Sequence, residues 1–202
     1  MKIRNNCVTD NTITFEVDSV CTPIENISPL IYPSGSIQNF LQTKSLVIQT
    51  VAAGVNFLRG YYITIEKDIS FDELFISISV TSAGNSINGI YSVLPTGYPD
   101  TLLYTTAVFD NGLLNKQSSF QNGTLGAGTY FVAQNSSSAA VFRCFQTQLL
   151  INTGNFFGVT DGANIHTGLG VSYTYTGTLP ATFPAGATKT TGDLPYLLFN
   201  LS

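Results

Sequence analysis

The residues of this chain that could do bond chemistry are few, and their spacing does not converge. The single histidine is His166, in Asp161-Gly162-Ala163-Asn164-Ile165-His166-Thr167-Gly168. A nucleophilic centre needs a base beside its nucleophile, and no Gly-x-Ser-x-Gly elbow accompanies this one. His166 is expected to be a polar loop residue; the rival reading puts three copies at a trimer axis as an ion site. Glycoside hydrolysis needs two opposed carboxyl groups. Here Asp68, Asp72 and Glu73 cluster around a turn and read as solvated turn residues. Asp100, Asp110 and Asp161 lie beside Asn, Gly or Pro, where Asp is favoured for bonding its own backbone. Asp161-Gly162-Ala163-Asn164 offers one carboxylate, too few for a calcium loop.

Three cysteines, Cys7, Cys21 and Cys144, match no zinc spacing and form no disulfide framework. Cys144, within Ala140-Val141-Phe142-Arg143-Cys144-Phe145, reads as a small buried hydrophobe. Cys7 and Cys21 could pair across a loop, which a reducing cytosol would oppose. No glycine-rich loop leads into a helix to cradle phosphate. No catalytic residue, cofactor or metal is therefore assigned.

Side chains of this kind must be carried by strands. The segment Leu74-Phe75-Ile76-Ser77-Ile78-Ser79-Val80 alternates with period two, placing Leu74, Ile76, Ile78 and Val80 toward a core. A slip of one residue would bury the serines, so the register is strongly specified. Similar runs are Thr12–Val17, Leu46–Val51, Tyr61–Glu66, Ile87–Leu94, Leu102–Phe109, Gly128–Gln134, Ala140–Phe145, Val171–Thr176 and Leu194–Leu201. The best helix candidate, Ser36 to Gln42, is short and weakly patterned. Short strands punctuated by eighteen glycines predict an all-β protein, a jelly-roll-like antiparallel β-sandwich. A proline-rich connection and a shift in aromatic density divide the chain into an N-terminal attachment segment, 1–55, and a sandwich domain, 56–202.

Charged residues make up only 10% of the chain, against 44% hydrophobic. A surface so poor in charge does little to hold copies apart, so self-association is expected. The eight basic residues are scattered, which argues against nucleic-acid binding and against a polybasic membrane patch. No apolar run is long enough to span a bilayer. The first residues lack the apolar stretch of a secretory signal, which points to assembly in a cytoplasm. Among ten tyrosines, Tyr98, in a Gly-Tyr-Pro turn, is the candidate exposed contact, for a protein or a sugar face. Leu179 and Phe183 lie in Leu179-Pro180-Ala181-Thr182-Phe183-Pro184, whose prolines preclude a central strand. They are the candidate apolar anchors of an extended strap, packing on the sandwich or on a neighbouring subunit.

Two stretches carry a resemblance. Asn88-Gly89-Ile90-Tyr91 through Thr101-Leu102-Leu103-Tyr104, followed by Leu125-Gly126-Ala127-Gly128-Thr129-Tyr130-Phe131-Val132-Ala133, resembles a β-sandwich of phage tail and head fibre proteins. Thr176-Gly177-Thr178-Leu179-Pro180-Ala181-Thr182-Phe183-Pro184-Ala185 is similar to a segment near the C-terminus of such proteins. Phe131 stands where family members often have tryptophan. The resemblance covers about residues 60–202. It implies a non-enzymatic virion protein, assembled in the host cytoplasm: a head fibre, capsid decoration or compact tail-fibre adaptor. It implies a homotrimer that meets other virion proteins through the N-terminal segment. The alternatives are a carbohydrate-binding module reading a host-surface glycan and, further off, a polysaccharide hydrolase.

Overall fold

The computed structural model describes residues 37–38, 48–145, 166–191 and 195–202, all within one compact unit, Tyr32–Ser202. The described residues form strands and connections, with no helix. The expected strand Thr12–Val17 lies outside the described residues, as do Cys7, Cys21 and Asp161. Ile37–Gln38, within the helix candidate, is strand β1.

Two antiparallel sheets pack face to face, the β-sandwich that the alternation predicts. The first is centred on β4 (Ile69–Val80). Along one edge of β4 runs β8 (Asn115–Leu125). Along the other, β13 (Leu198–Leu201) and β10 (Val141–Phe145) share the length, flanked in turn by β1 and by β2 (Ile48–Ala52). The second sheet runs in the order β12 (Thr188–Thr191), β11 (His166–Ser172), β3 (Phe57–Ile65), β9 (Gly128–Ser136), β5 (Asn85–Val93) and β6 (Pro99–Thr105). The short β7 (Phe109–Asp110) also pairs with β5. Strands β1 and β2, which precede residue 56, are members of the first sheet.

The core between the sheets takes Tyr61, Ile63 and Ile65 from β3, Ile90 from β5 and Val132 from β9. Opposite them lie Ile69, Phe71, Leu74, Ile76 and Ile78 of β4, with Phe142 and Phe199. A bulge between Phe71 and Glu73 shifts the alternation by one, so that Phe71 and Leu74 both face inward. Val80, expected in the core, is 55% exposed; it pairs with Val141 of β10, one step past a register shift between Val141 and Phe142. Phe75, on the opposite face from Leu74, is nevertheless buried, with the Lys116 ammonium 3.9 Å from its ring centroid.

The second sheet is buried on both faces. Its outer side carries Leu58 and Tyr62 of β3, Ile87 and Tyr91 of β5, Phe131 and Ala133 of β9, and Leu169 of β11. The chain leaves β11 at Ser172, crosses this face as residues 173–187, and returns as β12 beside β11. The strand expected at Val171–Thr176 thus ends early: Tyr173 and Tyr175 pack against the sheet as the start of this crossing.

Candidate functional site

Pro180 and Pro184 lack a backbone donor, so the crossing segment can join a sheet only at an edge. It does so beside β6: Leu102 N–H donates to Ala181 O and Phe183 N–H donates to Asp100 O, each at 2.8 Å. The two proline carbonyls, which can only accept, are met by tyrosines. Tyr91 Oη donates to Pro180 O at 3.0 Å, and Tyr98 Oη donates to Pro184 O at 2.8 Å. Phe183 fills the space between them, with its ring edge-on to Phe131 at 5.1 Å, Tyr91 at 5.3 Å and Tyr98 at 6.2 Å.

The structure therefore brings together Tyr98, Leu179 and Phe183, but as internal contacts. Leu179 and Phe183 are 9% and 3% exposed, packed on the chain's own second sheet, the first of the two packings open to the strap, and so present little surface to a neighbour. Tyr98 is half-buried, with its hydroxyl held by Pro184 and by Ala187 N–H at 3.1 Å. A ring fixed in this way is not the free stacking surface expected of it. The left-handed conformation that glycine allows falls on Gly97 (φ 84°), in the turn from β5 to β6, and on Gly177 and Gly186 (φ 79° and 80°) at the two ends of the strap. The turn closes through Gly97 N–H to Leu94 O at 2.8 Å, with Pro95 supplying the fixed φ of its second position.

The acids serve local structure and remain dispersed. Asp68 Oδ1 accepts from Ala127 N–H at 2.9 Å, and Asp110 Oδ1 accepts from Gly112 N–H at 2.8 Å. Asp72 and Glu73 stand within β4 at its bulge rather than in a turn, and Glu73 meets Lys116 at 3.9 Å. A partly solvated pair of this kind contributes about 0–1 kcal/mol. Among the described residues no group of three His, Cys, Asp or Glu side chains is placed to hold a metal. His166 begins β11, opposite Thr191, rather than lying in a loop; its side chain is outside the described residues. Cys144 is buried, as its neighbours imply.

No protein-family model matches this chain, and no curated protein matches it.

Two features stand out that sequence patterning did not find. The first is Phe120, 86% exposed at the middle of β8, whose second edge pairs with no strand among the described residues. Its register partner on β4 is Glu73. The signal in the sequence was a lone aromatic within Ser118-Ser119-Phe120-Gln121-Asn122. Period-two patterning does not reveal this strand, because its inward positions include Gln117, Ser119 and Gly123 instead of alternating aliphatics. The ends of β8 are closed by side chains: Tyr104 Oη donates to Thr124 O at 2.8 Å, and Gln117 Nε2 donates to Asp110 O at 2.6 Å. Between them Ser119 Oγ accepts from Ala107 N–H at 2.7 Å, while the Phe120 ring itself stands in solvent.

The second is a row of polar side chains on the inner face of the second sheet. Gln134 of β9 is in register with Arg59 of β3 on one side and with Asn88 of β5 on the other. All three line one narrow recess with Tyr61, Val132 and Pro195. Asn88 and Gln134 are 2% and 5% exposed. Arg59 Nε, Asn88 Nδ2 and Gln134 Nε2 are buried and have no hydrogen-bond partner among the described residues. Burial, only partly offset by the neighbouring Cys144, holds the Arg59 guanidinium below its ordinary pKa. Each unmet buried donor costs roughly 1–3 kcal/mol, so this row opposes the stability of the fold around it. The sequence signal was a polar residue at an inward position: Asn88 two before Ile90, and Gln134 two after Val132.

Proposed function

We propose that this chain is a non-enzymatic structural subunit of a phage virion, a head fibre, capsid decoration or compact tail-fibre adaptor that presents a β-sandwich for assembly. The observation that carries the assembly reading is Phe120, a large apolar side chain almost wholly in solvent at the centre of an edge strand. Open edges invite pairing with another chain, and a protein with 10% charged residues has little surface repulsion to oppose it. The virion setting rests on the resemblance of residues 88–104, 125–133 and 176–185 to phage fibre proteins. The dispersal of the acids into turns and one ion pair supports a role without bond chemistry. A homotrimer is the proposed state, and residues before the sandwich are the proposed attachment to other virion proteins.

Sedimentation of the full chain at micromolar concentration tests this reading, with Phe120→Lys beside it. The unchanged chain should sediment as an oligomer, and the lysine variant as a smaller species with the same circular dichroism. A dispersed monomer for the unchanged chain would overturn it. The carbohydrate-binding alternative needs a free tyrosine face, and the ring and hydroxyl of Tyr98 are engaged by Phe183 and Pro184.

A further inference from the structure

Strand β8 turns Lys116, Ser118 and Phe120 to one face, the outer face of the first sheet, where their register partners on β4 are Ser77, Phe75 and Glu73. Lys116 leans along this face. Its ammonium lies 3.9 Å from the centroid of the Phe75 ring and 3.9 Å from Glu73 Oε2. Phe75 is buried, yet the Lys116 side chain is 51% exposed, so the cation has protein on one side and solvent on another. An ammonium seated on one aromatic face attracts a second ring from its open side, because the face of a ring carries the negative end of its quadrupole. Phe120, on the same face of the same strand, is 86% exposed. Ser118, between the two, is small and exposed, which leaves room beside the cation for a ring.

We infer that Phe120 of one copy of this chain seats on the Lys116 ammonium of a second copy, which returns the same contact. Each copy carries both halves, a projecting ring and a half-covered cation, on one strand face. A two-fold axis passing between them brings each ring onto the other copy's cation, the self-complementary arrangement of an isologous pair. Neither half has to move, since Phe75 and Glu73 already hold the ammonium and Phe120 already projects. Burial of the two Phe120 rings drives the association, and the cation decides where each ring lands. The inference rests on the assembly reading and specifies the contact that Phe120 makes. A two-fold contact joins copies in pairs, so it is distinct from the three-fold contacts of the proposed homotrimer.

Association constants of the full chain, measured by sedimentation, test this in a double-mutant cycle. Lys116→Gln removes the charge while leaving Phe120 in place, and should keep the circular dichroism of the fold. It should weaken pairing by roughly 30-fold, because two contacts are lost per pair, each of about fivefold. Phe120→Leu keeps an apolar side chain but has no aromatic face. In that background pairing is weaker, and adding Lys116→Gln should change it no further. An unchanged chain that stays monomeric leaves Phe120 to a partner of another kind, and overturns this inference together with the assembly reading. An oligomer whose pairing is undiminished in Lys116→Gln overturns this inference alone, as does a loss of equal size in the Phe120 and Leu backgrounds.

Discussion

Tyr98 and Pro184 are joined by a hydrogen bond of 2.8 Å in which the tyrosine hydroxyl donates to the proline carbonyl, while the same oxygen accepts from Ala187 N–H. The turn that carries Tyr98 is thereby locked to the far end of the strap. Tyr91 does the same at the near end through Pro180. The strap is held by hydroxyls at its two prolines and by Phe183 between them.

Removing the central ring should release the most. Phe183→Ala deletes a buried aromatic with three edge-on partners and should destabilise by about 3–5 kcal/mol. Tyr98→Phe keeps the ring and should cost about 0.5–1.5 kcal/mol. Urea unfolding followed by circular dichroism measures both, and a larger effect for Tyr98→Phe would contradict the packing described here.

Gly89 lies where β5 passes beneath the strap. A Cβ there would fall 2.5 Å from Leu179 Cδ1 and 2.8 Å from Leu102 Cδ1. Gly89→Val should therefore overpack the outer core and cost about 1–3 kcal/mol. Pairing the change with Leu179→Ala should recover part of that loss. The double-mutant cycle would show coupling between the two positions, which strictly additive effects would rule out.

The tyrosines make a pH prediction. Burial pushes the hydroxyl pKa of Tyr61, Tyr62 and Tyr91 well above the ordinary value, with Tyr98 adding to the effect at Tyr62 and Tyr173 at Tyr91. A bond from Leu197 N–H partly opposes it at Tyr61. A folded-state pKa raised above the unfolded one means that the folded protein holds protons the unfolded chain releases. The stabilisation is complete below the unfolded value near 10 and is lost as pH rises beyond it. Stability should fall above about pH 10, with a slope exceeding one proton. Tyrosinate absorbance from these residues should appear together with unfolding, as monitored by ultraviolet titration and circular dichroism; ionisation ahead of unfolding would refute the assignment.

Phe120 should matter to association and not to the monomer. Its side chain is almost fully exposed, so Phe120→Ser should change urea unfolding of the monomeric form by no more than about 0.5 kcal/mol. A loss of several kcal/mol would place the ring in an intramolecular contact.

The alternation of apolar residues by itself determined the all-β class and most of the strands. Leu74, Ile76 and Ile78 alternate because one face of β4 meets a core, and a period of two is visible without knowing the partner. The same pattern could not reveal β8, where small and polar residues occupy the inward positions, or the exposure of Phe120 at its middle. The prolines identified an extended strap anchored by Leu179 and Phe183, yet left its partner undecided. Only the tertiary structure put those side chains under Tyr91 and Tyr98 of the same chain. It alone aligned Arg59, Gln134 and Asn88 in one row. The physical reason is that side-chain direction along a strand is local, set by backbone geometry residue by residue. Which strands lie side by side is a property of the whole sheet, fixed by long-range pairing that no single segment encodes.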